Sequence, residues 1–213
     1  PVIFVPGNAG SYAQVRSIAS SASRQYHEHP GQIAQGMQHV RGRDFFTVDY
    51  NEEFSAFHGP TVRDQAHYLA YAVRKVLELY RDHSGPSQVT LLGHSMGGIV
   101  ARLAAIEVSD LVDVIFTMST PHLYPPVALE WSMESIYNTI NSQSHHGSGP
   151  VLLSICGGVS DTQIVSDACS LTHDLVGKDG GFAVFTTGIP GAWTGVDHQA
   201  MVWCHQVRWR VAR

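Results

Sequence analysis

The sequence predicts an α/β fold, a mostly parallel sheet with helices on both faces. Two patterns carry that prediction. Short apolar runs alternate with segments of helical periodicity along the whole chain. Those runs are almost continuously apolar, as strands buried on both faces must be. The size fits as well: 213 residues at 44% hydrophobic can form one domain, spanning 1–213, around a large core.

The elements follow in order. Val2 to Val5 is an apolar run closed by Pro6-Gly7-Asn8-Ala9-Gly10, so it reads as a strand leading into a turn. From Ser11, a plausible N-cap, Tyr12, Val15, Ala19, Ala22 and Tyr26 recur at helical spacing. His27 to Arg43 is polar and rich in Gly and His, a loop with some helix. Asp44 to Tyr50 (DFFTVDY) reads as the second strand. Thr61 then caps a long helix with Val62, Ala66, Leu69, Ala70, Val73, Val76, Leu77 and Tyr80 on one face. Gly85-Pro86 closes it.

Gln88 to Leu92 is the third strand, Met96 to Val108 the next helix and Leu111 to Met118 the fourth strand. Val151 to Cys156 and Phe182 to Thr187 complete the strands, and Ala200 to Val207 is an apolar helical run. The segment 122–150 is long for a connection. Val127, Leu129, Trp131, Met133, Ile136, Tyr137 and Ile140 suit one helix face, either a cap over the site or a helix packed on the sheet.

Composition excludes several classes. The net charge is −5, and the basic residues cluster only at Arg208, Arg210 and Arg213, which argues against nucleic acid. No apolar run is long enough to span a bilayer. The chain opens directly on a core strand, PVIFV, and is expected to be excised from something longer. Cys156, Cys169 and Cys204 match no zinc spacing; Cys156 and Cys169 either bridge or remain buried thiols. His145 and His146, with His122, lack a carboxylate or cysteine partner at metal-binding spacing.

In a parallel sheet, reactive groups sit in loops at the carboxyl ends of strands. Gly93-His94-Ser95-Met96-Gly97 lies between a strand and a helix and matches G-x-S-x-G. That turn is so sharp that the serine backbone is strained and both flanking positions must be Gly. Ser95 is therefore the candidate nucleophile, and it needs an imidazole to take its proton. Position must choose among 13 histidines. His94 adjoins the serine and cannot curl onto it, so it is structural or a pocket wall. His198 follows the last strand across GIPGAWTGVD and is the candidate base.

The third member holds the imidazole in the right tautomer and balances its charge. The order of this class is serine, acid, histidine. Ser119-Thr120-Pro121-His122, after the fourth strand, offers no carboxylate. Asp161, after Val151 to Cys156, is the first choice, and Asp167 the runner-up. The backbone N–H groups of Met96 and Asn8 are the candidate oxyanion donors. The chemistry needs no metal or organic cofactor.

Strand, PGNAG loop, helix, GHSMGG, a strand-end Asp and a final Asp-His resemble the α/β-hydrolase fold, entered near its third strand. FVPGNAGSYAQVRSIAS, FFTVDYNEE, LLGHSMGGIVAR, the STPH and GGVSD segments and DHQAMVWCHQV sharpen this. Together they are similar to the GPI inositol-deacylase family. The resemblance implies a serine esterase that removes the fatty acyl chain from the inositol of GPI anchors. Ser95, Asp161 and His198 would be its nucleophile, acid and base. Its partners would be acylated GPI-anchored proteins, and its place the endoplasmic reticulum, facing the lumen and held in the membrane by segments absent from this chain. A general glycerolipid lipase and a catalytically silent binding domain are the alternatives.

Overall fold

A computed structural model describes residues 1–28, 42–81, 85–127, 130–142, 149–177 and 180–213. Its centre is a six-stranded sheet in the order β2-β1-β3-β4-β5-β6, with every neighbouring pair parallel. The strands are β1 (Val2–Val5), β2 (Phe45–Thr47), β3 (Val89–His94), β4 (Val112–Met118), β5 (Val151–Cys156) and β6 (Gly181–Phe185). Period-two side-chain alternation divides the core in two. Ile3, Val5 and Leu91 join one cluster, and Val2, Phe4, Leu92, Met118 and Ile155 the other.

The first face is covered by α2 (Gly59–Glu78), α3 (Met96–Glu107) and α4 (Trp131–Ser142). The second is covered by α1 (Arg16–Glu28) and α7 (His205–Val211), which pack on each other. Two one-turn helices, α5 (Ser166–Cys169) and α6 (His173–Val176), lie between β5 and β6. No helix among the described residues is long and apolar enough to cross a membrane.

Several boundaries differ from expectation. The second strand is Phe45–Thr47 rather than Asp44 to Tyr50: beyond those three paired residues β1 makes only single flanking bonds, from Val2 N–H to the Asp44 carbonyl and from Val48 N–H to its own Phe4 carbonyl, and Asn51 and Glu52 then turn the chain at positive φ. The cap of α2 is His58, whose Nδ1 accepts from Thr61 N–H, and Gly59-Pro60 occupy the first turn. Ser11 does cap, but it caps a 3-10 turn, Tyr12–Val15. That turn shifts the phase of α1, so Ile18, Ser21 and Gln25 face inward while Tyr12 and Tyr26 are exposed. Arg208 and the Trp209 carbonyl of α7 satisfy Ser21 and Gln25.

The run Ala200 to Val207 is split. A 3-10 turn covers Ala200–Val202, and Cys204 is extended before α7 begins. Both Met201 and Val207 are buried, and the break lets both turn inward. In α4, Met133, Ile136, Tyr137 and Ile140 are buried against the first-face cluster, and Trp131 is 87% exposed. These residues therefore form a helix packed beside α2 and α3. The loop expected over 27–43 falls largely outside the described residues, as do Leu129, His145 and His146. Cys156 and Cys169 form a disulfide, with Cα atoms 5.9 Å apart.

Candidate active site

The parallel ladder aims the loops after β1, β3, β4, β5 and β6 at one edge of the sheet. Ser95 extends the ladder by one bond, donating its N–H to the Met118 carbonyl at 2.9 Å. The chain then reverses into α3. This forces Ser95 to φ 55°, ψ −128°, a region that L-residues rarely occupy. The flanking glycines are required by contact. A Cβ on Gly93 would lie 2.6 Å from Gly98 Cα, and one on Gly97 would run into the Val5 carbonyl. Thr120 Oγ1 donates to the Ser95 carbonyl at 2.8 Å and braces the elbow from the β4 side.

His198 is buried, and its Nδ1 lies 3.0 Å from Asp161 Oδ2. A carboxylate only accepts, so Nδ1 carries a proton, and in the neutral ring Nε2 keeps its lone pair. Asp161 Oδ1 accepts from the N–H groups of Gln163 and Ile164, at 3.1 and 2.9 Å. Burial opposes ionisation of Asp161, but the bonds from His198 and the Ile164 N–H outweigh it and hold the carboxyl below its usual range. Asp161, not Asp167, is the carboxylate that meets His198. The loops bearing Asp161 and His198 also share Gly157: its carbonyl accepts from Val196 N–H at 3.1 Å and from Thr186 Oγ1 at 3.4 Å.

The loop after β1 closes the site. A Cβ on Gly7 would lie 2.7 Å from Ser95 Cβ, so the backbone there approaches the serine itself. Ala9 donates to Glu53 O and Gly10 to Gly7 O, both at 2.9 Å, whereas Asn8 N–H has no acceptor in the described backbone network. Asn8 Oδ1 accepts from Ala56 N–H at 2.9 Å and so fixes the loop against the turn after β2. Met96 N–H opens α3 and has no intrahelical partner. Both amides are thus free to donate to an anion.

Position along the chain marks His94 as structural or a pocket wall without disclosing its partner, and it does not single out Thr120. His94 lies beneath His198 with its Nε2 3.0 Å from the His198 carbonyl. Thr120 belongs to the STPH segment, whose place directly after a strand was the available signal. His122 of that segment is buried beside Arg102, and burial, with Arg102 second, holds it well below its ordinary pKa. Among the described residues no cluster of His, Cys, Asp and Glu could hold a metal ion. A cavity of about 400 Å³, lined by Val2, Ile18, Phe45, Thr90, Leu92 and Phe116, sits at the amino ends of the strands, away from Ser95.

The architecture is that of the α/β-hydrolases. The product of lin2722 from Listeria innocua superposes with a TM-score of 0.64 at 13% identity, covering 99% of this chain and 91% of that one. The mature Bacillus licheniformis lipase BlEst2 superposes with a TM-score of 0.58 at 14% identity, covering 95% and 86%. In sequence the chain is 55% identical over 218 residues to the GPI inositol-deacylase of Cryptococcus neoformans var. neoformans serotype D (strain B-3501A). That match covers 100% of this chain and 28% of the relative. The chain spans about a quarter or less of the curated relatives it matches, 28%, 25% and 18% for three of them. The model of the PGAP1-like alpha/beta domain covers residues 1–213 without remainder, and the chain belongs to that family.

Proposed function

We propose that Ser95, His198 and Asp161 form a catalytic triad that hydrolyses a carboxylic ester, with the N–H groups of Asn8 and Met96 as its oxyanion hole. The observation that carries this reading is the buried His198–Asp161 bond of 3.0 Å, together with the bond that His94, the neighbour of a serine held at φ 55°, donates to the His198 carbonyl. It leaves the base with its proton on Nδ1 and a free lone pair on Nε2.

In the first half-reaction His198 Nε2 takes the Ser95 hydroxyl proton as Oγ attacks the ester carbonyl carbon. The charge that develops on the carbonyl oxygen meets the two amides. The tetrahedral adduct then expels the alcohol, which takes the proton from His198, and the acyl group stays on Ser95. Water, activated by the same imidazole, releases the carboxylic acid and restores the serine. Asp161 remains ionised throughout and stabilises the imidazolium.

The substrate is the fatty acyl ester on the inositol ring of GPI anchors. Relatives carrying the name GPI inositol-deacylase, at 55% and 43% identity, support this choice. The leaving alcohol is then an inositol hydroxyl. The protein would act in the endoplasmic reticulum on newly made GPI-anchored proteins, held in the membrane by segments outside this chain.

The test uses inositol-acylated GPI-anchored proteins, which resist phosphatidylinositol-specific phospholipase C. Membranes containing the full-length protein should restore release by that phospholipase, and Ser95→Ala should not. Glycerolipid hydrolysis without restored sensitivity would turn the reading to a general lipase. A folded protein inactive on both would leave a binding domain.

A further inference from the structure

His94 has no part in the chemistry above, yet its side chain is enclosed at the centre of the site. A buried imidazole must satisfy its polar atoms. Its Nε2 lies 3.0 Å from the main-chain carbonyl of His198, and a carbonyl only accepts, so His94 carries a proton on Nε2 and donates it. The two rings are tilted by 39° with centroids 4.9 Å apart.

We propose that His94 is a positioning residue that sets the main chain of His198 against Ser95; the proposal rests on the triad reading above. Asp161 grips the ring of His198 at Nδ1, which fixes its rotation but not the height of the loop that bears it. That loop is tied to the β5 side through Val196 and Gly157. His94 supplies the tie to β3. It is the covalent neighbour of the nucleophile, so serine and base take their separation from a single peptide unit. A shift of about 1 Å between them is enough to lower a rate a hundredfold.

The titratable groups facing His94 are His198 and Asp161. Burial, and next the His198 ring, push His94 down to about 4. At neutral pH it therefore donates its bond without adding a cation that would oppose imidazolium formation on His198.

The experiment compares His94→Gln with His94→Met in the full-length protein. The two replacements have the same length, but only Gln keeps an N–H donor. The readout is the rate of labelling by a fluorophosphonate probe: a Ser95 Oγ–P bond forms, the P–F bond breaks, fluoride leaves and His198 takes the proton. This rate reports the serine–base pair and not the identity of the acyl substrate. KM for the acylated substrate and the melting temperature are measured beside it.

The expected result is a rate at least about tenfold lower in His94→Met, with KM unchanged, and a rate in His94→Gln returning most of the way to wild type. Equal rates in folded His94→Met and wild type overturn the role of His94 and leave the triad standing. Absence of labelling in wild type, with Ser95→Ala no different, removes the triad reading and the inference with it. Should His94→Met not fold, the wild-type pH profile decides. One ionisation governing the labelling rate between pH 5 and 8 agrees with a neutral donor at position 94, and a second overturns it.

Discussion

Replacing Ser95 by Gly should make the protein more stable than replacing it by Ala. The Ser95 backbone sits at φ 55°, ψ −128° because β3 must reverse into α3 within one residue. Ala keeps the Cβ and hence the strain; Gly removes both. Such a conformation costs a residue with a Cβ roughly 1–3 kcal/mol. Gly returns part of this, because the unfolded chain gains freedom worth about 0.5–1 kcal/mol. The difference between the variants should be about 1 kcal/mol in favour of Gly, or about 2–4 °C in melting temperature for a chain of this size. Urea unfolding followed by tryptophan fluorescence and by circular dichroism measures it, and coincident curves license a two-state treatment. A Gly variant no more stable than the Ala variant would refute the claim that the elbow stores strain, whatever either variant does to activity.

Stability should fall as the solution is acidified from pH 7 to pH 5. His94 titrates near 6.5 when unfolded and near 4 when folded, so between those values the unfolded chain holds the extra proton and stability rises with pH. The loss from His94 alone is about 2 kcal/mol over that interval, and His122 acts in the same direction. Urea midpoints at the two pH values test this, and His94→Gln should shrink the difference. Reducing the Cys156–Cys169 bridge should cost roughly 3 kcal/mol, the entropy of a loop of this length. Asp161 lies inside that loop, so reduction should also slow probe labelling; an unchanged rate would mean that the other bonds to Asp161 suffice. Asp161→Asn should lower kcat by about 10⁴ with little change in KM, because an amide can donate to Nδ1 and select the wrong tautomer; a tenfold loss or less would argue against His198 as the base.

The strands were legible because burial on both faces leaves an almost unbroken apolar run, as in VIFV and VLLSIC. The elbow was legible because its sterics admit only Gly on either side of Ser95. His198 and Asp161 followed from the rule that reactive groups crowd the carboxyl ends of parallel strands. What stayed hidden depends on partners distant in sequence. The inward face of α1 is not legible because a 3-10 turn alters its phase, and because Ser21 and Gln25 are buried against polar groups supplied by α7. The pairing of Cys156 with Cys169 depends on the path from β5 into α5, which spacing does not fix. His94 reads as structural or a pocket wall because a side chain beside the serine cannot reach it, but its partner, a main-chain carbonyl 104 residues away, is set by the fold.

The register of the sheet also sets a timetable for synthesis. Val2 pairs with Phe45 on one side and with Thr90 on the other, so the first strand cannot acquire its inner neighbour until 88 further residues have been added. At ribosomal speeds this takes on the order of ten seconds. Throughout that interval Val2, Ile3, Phe4 and Val5, all buried in the finished molecule, lack the cover of β3. Among the described residues every strand pair is parallel, so none of them forms a hairpin that would shelter these side chains early. The nascent chain is therefore a natural client for holdase chaperones while the segment from β1 to β3 is being made, and ribosome profiling of chaperone occupancy should show engagement fading once β3 has emerged.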